Sequence, residues 1–80
     1  MNMRLTTLFT AILLTWTSAD PSMLVQLDRR REDRPTFRQL VIVSGTQYLD
    51  KGLRRRTSYC YRARYATETV YTPQVCATTN

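Results

Sequence analysis

The chain has no histidine, only two glycines and two cysteines, a single lysine at Lys51, and no long apolar run. Without an imidazole, Ser/His and Cys/His nucleophile pairs and His-based metal sites are excluded. Gly45 and Gly52 are too few to build a glycine-rich phosphate loop. Acidic residues are scarce as well. The six carboxylates Asp20, Asp28, Glu32, Asp33, Asp50 and Glu68 are scattered among arginines, which reads as charge balance and not as an acid/base pair. No segment is apolar over the roughly 20 residues that a membrane-crossing helix needs. The expectation is a protein that is not an enzyme, with no cofactor, no metal, no small-molecule substrate and no transmembrane segment.

What remains is a basic, strand-forming chain. Eighty residues cannot form two independent cores, so residues 1–80 are read as one domain. Apolar residues at 42% and charged residues at 22% lie near the globular norm, which argues against disorder throughout. Thr and Arg are the commonest residues, and Thr, Tyr and Val favour pleated, half-buried strands. Val25 and Leu27, with the stem of Arg29, alternate against Gln26, Asp28 and Arg30. Tyr59, Tyr61, Ala63 and Tyr65 alternate against Cys60, Arg62, Arg64 and Ala66. Period two with an aromatic face and a charged face predicts a sheet solvated on one side. Arg29–Pro35 is polar and closed by proline, which predicts a loop, and Ala66–Thr69 predicts the tip of the last hairpin.

The most specific run is Tyr48-Leu-Asp-Lys-Gly52-Leu53 followed by Thr57-Ser-Tyr59-Cys-Tyr61-Arg62. A leucine after the glycine and a tyrosine six residues later have the spacing of a tyrosine corner, where the hydroxyl bonds upstream backbone. The run resembles the fibronectin type III family at Tyr48, Asp50, Gly52, Leu53, Thr57, Tyr59, Tyr61 and Arg62. It departs at Ala63, where the family usually has valine, and at Tyr65, where it often has alanine. Leu14-Thr15-Trp16-Thr17 is similar to the family's second strand, and Leu24–Arg29, Phe37–Val43 and Tyr71–Thr79 are similar to later ones. The resemblance implies an immunoglobulin-like, all-β sandwich with Trp16, Leu27, Leu53, Tyr59 and Tyr61 in its core, Trp16 packing near Tyr59 and Leu27. In the family the acidic residue equivalent to Asp50 belongs to the turn before the corner. The Arg-Gly-Asp tip that adhesive members use is absent.

Residues 1–19 admit two readings. A single early charge, a short apolar stretch and Thr17-Ser-Ala19 have the outline of a secretory leader. The same residues read as the first two strands, although few precede Trp16 for a first strand and its turn. Cys60 and Cys76 stand directly opposite each other if the last hairpin turns about residue 68, within reach of a disulfide. Two free thiols are the alternative.

Charge is the remaining clue. The net charge is +6, and all but Lys51 of the twelve basic residues are arginines. They group at Arg29, Arg30 and Arg31 with Arg34 and Arg38, at Arg54, Arg55 and Arg56, and at Arg62 and Arg64, read here as clusters at different places. Guanidinium forks suit phosphate, sulfate and carboxylate groups. Two functions follow as expectations. The resemblance implies a non-enzymatic extracellular or cell-surface spacer or protein-binding module whose partner is another protein or a neighbouring domain. The alternative is a small secreted basic protein binding a polyanion (a sulfated glycan, nucleic acid or an anionic membrane surface) through its arginines. Without a leader the location would be cytoplasmic.

Overall fold

Strand-favouring alternation is realised seven times in a computed structural model that describes residues 1–80. The strands are β1 (Met3–Thr7), β2 (Ala11–Trp16), β3 (Val25–Arg31), β4 (Arg38–Val43), β5 (Gln47–Lys51), β6 (Ser58–Tyr65) and β7 (Val75–Thr78). They form an antiparallel two-sheet sandwich, β1-β2-β5 against β4-β3-β6-β7. Residues 3–16, for which a leader is the alternative reading, supply β1 and β2. Met3 pairs with Trp16 and Thr7 with Ile12, so a first strand of five residues suffices.

The core collects alternate residues of both inner faces. Ile12, Leu14 and Trp16 of β2 meet Val25 and Leu27 of β3 and Tyr59, Tyr61 and Ala63 of β6, with Leu53 closing one end. Tyr61, Ile12, Leu14, Leu27 and Val25 are fully buried. Burial of this kind is worth about 1.5–3 kcal/mol for each large side chain. Trp16 and Tyr59 belong to the same cluster but stand at opposite ends of the strands, contrary to the expected packing. Trp16 lies beyond the Thr15–Gln47 pair, whereas Tyr59 faces Arg31 at the far end of β3.

Three local expectations are corrected. β3 runs on through Arg29, Arg30 and Arg31, which pair with Tyr61, Cys60 and Tyr59, so the loop before β4 begins only at Glu32. β7 is shorter than residues 71–79, because Tyr71–Gln74 leave the ladder and Tyr71 turns onto the outer face. That outer face is not simply solvated. Gln26 and Asp28 are 8% and 3% exposed, since neighbouring arginines and Tyr71 fold over them.

Cys60 and Cys76 are register partners and are joined by a disulfide, with Cα atoms 4.0 Å apart. Their pairing places the centre of the connection at residue 68, as alternation predicts. Cys60 lies on the outer parity yet is fully buried, flanked by Arg30 on β3 and by Cys76 on β7.

Two stability outcomes follow. Trp16→Ala should cost roughly 3–5 kcal/mol in denaturant unfolding, because it empties one end of a small core. Cys60→Ser with Cys76→Ser should lose ~3 kcal/mol while far-UV circular dichroism keeps its β signal, since the bridge closes a loop of about fifteen residues. Unchanged melting in either variant would contradict the assigned role.

Candidate functional site

The corner between β5 and β6 organises one pole of the sandwich. Gly52 has φ 73°, a left-handed conformation that costs glycine nothing and turns the chain after β5. The Leu53 N–H donates to the Thr10 carbonyl at 2.9 Å, and the Leu53 side chain is buried beneath the turn. The Tyr59 hydroxyl accepts from the Arg54 N–H at 3.0 Å. Arg56 has φ 51°, unusual for a residue with a Cβ, and completes the reversal into β6. Thr79 Oγ1 donates to the Arg54 carbonyl at 2.6 Å and accepts from the Thr57 N–H at 3.0 Å, tying the corner to the end of β7.

Beneath the corner lies a buried carboxylate. Asp50 shares the inward parity of Tyr48, is 2% exposed, and receives Arg29 Nη1 at 2.8 and 3.0 Å and the Tyr61 hydroxyl at 2.6 Å. Arg29 and Tyr61 are cross-strand partners on the opposite sheet, so Asp50 joins the two sheets. Its place is in a strand and not in the turn that the resemblance implies. Burial, reinforced by the hydrogen bond to Asp50 and its charge, pushes the Tyr61 hydroxyl far above the usual tyrosine range, with Arg29 opposing.

A second network covers the outer face of β3 and β6. Asp28 accepts from Gln26 Nε2 at 2.9 Å and from Arg62 Nε at 3.1 Å. Arg64 donates to Gln26 Oε1 at 2.8 Å and to the Tyr71 hydroxyl at 3.2 Å. The Arg62 guanidinium is stacked between Tyr71 and Phe37, 3.8 and 4.5 Å from their ring centres. Arg30 and Arg64 flank the same rings at 5.3 and 5.5 Å. These contacts occupy Arg62 and Arg64, which the sequence offers as polyanion contacts.

The other two arginine groups are not at different places. β3 ends, β4 begins and β5 turns at the same pole, which brings Arg29–Arg31, Arg34 and Arg38 beside Lys51 and Arg54–Arg56. They border a cleft of about 530 Å³ whose thirteen lining residues include six arginines and no carboxylate. Arg34 and Arg38, from the loop before β4 and from β4, line it together with Arg54 of the corner and with Leu40, Leu53 and Tyr59. Arg31 also borders a shallower depression with Arg56 and Ser58.

The arginines of this pole divide by what they hold. Arg29 is engaged by Asp50 and Arg31 by Asp33 at 3.1 Å. Arg30 donates to the carbonyls of Arg31, Glu32 and Arg34 and to Gln74 Oε1, which shapes the loop. Arg34, Arg38, Arg54 and Arg56 are exposed and donate no side-chain hydrogen bond, and Arg55 rests on the Phe9 ring at 4.7 Å. Sequence reasoning missed the structural work of Asp50, Asp28, Gln26, Phe37 and Tyr71. For Asp50 the signal existed, in its parity with Tyr48.

No family model and no curated sequence matches the chain. Among solved structures it is similar to a computationally redesigned β-sandwich protein, with a TM-score of 0.68 and 20% sequence identity over 99% of this chain and 87% of the other. At that identity the likeness speaks to the fold alone, an all-β sandwich of two sheets. No helix of the chain is long and apolar enough to cross a membrane.

The buried hydroxyl sets an alkaline limit. Because the folded state holds the Tyr61 proton more tightly than the unfolded chain, its contribution is complete below about pH 10 and declines above it, where only the unfolded chain ionises. In absorbance titration at alkaline pH, the Tyr61 phenol should ionise only as the protein unfolds. Tyr61→Phe should abolish that late step and cost about 1.5–3 kcal/mol at neutral pH, the worth of a hydrogen bond to a charged group. A Tyr61→Phe titration that loses one phenol ionising before unfolding, and is otherwise unchanged, would refute it.

Proposed function

We propose that the chain is a fibronectin type III-like module that serves outside the cell as a spacer or protein-binding unit and has no catalytic role. The observation that carries this reading is the corner. Its bond from the Arg54 N–H to the Tyr59 hydroxyl falls within the run that carries the resemblance, between strands of opposite sheets. The disulfide supports an oxidising compartment, where such bridges persist. A histidine-free chain with scattered carboxylates supports a binding role over a chemical one. Fold alone does not fix function, so the pole loops, carried on a braced sandwich, are the natural place for a partner.

A second reading, a basic protein that binds polyanions, is favoured by the unpaired guanidinium groups of the cleft. Binding that weakens steeply as salt rises is its signature, whereas a plain spacer has none to lose.

Mass spectrometry of natively produced protein tests the extracellular module. The expected result is recovery outside the cell with Cys60 and Cys76 joined. Recovery from a reducing compartment with both thiols free would count decisively against it.

A further inference from the structure

We infer that the cleft at the basic pole is a binding site for a linear sulfated glycan. This rests on the polyanion reading and adds the ligand class and the place.

The first argument is the distribution of charge. Nine of the chain's twelve basic residues lie at this pole, against three of its six carboxylates, Glu32, Asp33 and Asp50. Two of those carboxylates are already engaged, Asp50 by Arg29 and Asp33 by Arg31. Arg34 and Arg38, from the loop before β4 and from β4, and Arg54, from the corner after β5, therefore line one cleft without an acceptor. A concave wall of one sign focuses the field and draws an anion in.

The second argument is what the cleft asks of its ligand. Several unpaired forks in one cleft are not satisfied by a single small anion, so the ligand carries several anionic groups along its length. The fork geometry favours oxyanions that accept two parallel bonds, and guanidinium sheds water more readily than ammonium does. Sulfate esters on a sugar chain meet both conditions, and the sugar rings have room against half-buried Leu40.

The third argument separates glycan from nucleic acid. Single-stranded nucleic acid is held by free aromatic faces as well as by charge. At this pole most of those faces are taken. Phe37 carries Arg62 and Arg30, and Tyr59 is 5% exposed within the corner, which leaves Phe9, 61% exposed with Arg55 against it, as the one open ring. The disulfide points the same way, since it belongs outside the reducing compartments where nucleic acids are found.

The test is a titration of the oxidised full chain with a heparin octasaccharide over a range of salt. Log affinity should fall linearly with log salt. Arg38→Gln combined with Arg54→Gln removes two charges from the cleft and no internal hydrogen bond. It should weaken binding by about tenfold or more and reduce the salt slope by about two. Arg4→Glu changes the net charge equally, on an exposed residue of β1 near the opposite pole. It should weaken binding by less than about twofold, as charges beyond a Debye length are largely screened. In amide NMR spectra of the wild type, the octasaccharide should shift Arg29–Arg31, Thr36–Leu40 and Gly52–Arg54. Equal loss in the two variants, or shifts centred on Arg62 and Arg64, would overturn the site. Tighter binding to single-stranded DNA, polyglutamate or anionic phospholipid vesicles than to the octasaccharide would overturn the ligand class. A wild-type chain that binds none of these probes sinks the polyanion reading together with the site.

Discussion

Asp50 is the point at which the two sheets are held to one another. Its carboxylate is taken out of water, a step that costs several kcal/mol unless the lost hydration is replaced. Replacement comes entirely from the opposite sheet, through both oxygens to Arg29 and through one to the Tyr61 hydroxyl. Hydrophobic contact alone tolerates sliding, but three charge-assisted bonds do not. The triangle therefore fixes the stagger of β5 against β3 and β6, and a slip of one residue on any of them would turn its member away from the core. The corner residue Tyr59 lies two positions before Tyr61 on the same face, so the pole inherits its position from this contact.

One residue type performs three kinds of work, and its surroundings decide which. Arg29 neutralises a buried charge, Arg62 and Arg64 roof the outer sheet with their stems and stack on rings, and Arg30 gathers the carbonyls of the turn after β3. Lysine could not replace most of these, because a point ammonium neither stacks as a plane nor reaches several acceptors in fixed directions. The single lysine, Lys51, is exposed. With the outer-face arginines balanced by Asp28 and spread over aromatic faces, the excess positive charge is left at the pole.

Much of this architecture was legible because alternation and turn chemistry are local. Tyr59, Tyr61 and Ala63 face inward, Arg62 and Arg64 outward, and Cys60 opposite Cys76, as parity and a turn about residue 68 require. The corner was legible from Gly52, Leu53 and Tyr59. What alternation could not carry was anything that crosses between strands distant in sequence. The proximity of Arg38 to Arg54 depends on how β4 and the end of β5 meet in three dimensions. The burial of Gln26 and Asp28 depends on which side chains of β6 and of the segment before β7 fold over them. Arg29–Arg31 read as a loop because charge is usually a sign of solvent. Here pairing with β6 and an inter-sheet carboxylate keep the strand going.

The unpaired arginines of the pole stand apart from this economy of contacts. The polar side chains that brace the sandwich have identifiable partners: Asp50 its triangle, Asp28 its roof, Thr79 the corner, with Cys60 held by its bridge. Arg34, Arg38, Arg54 and Arg56 have none. Clustered like charges raise the energy of the folded state by repulsion that the expanded chain relieves, so these residues cost stability where they are. A neutral polar residue at each would keep every internal bond described above. Folding therefore accounts for where these arginines sit but gives no reason for their being arginines, three of which line one cleft. The proposed ligand of opposite charge would give them one, because it would turn repulsion among these side chains into shared attraction for an anionic chain.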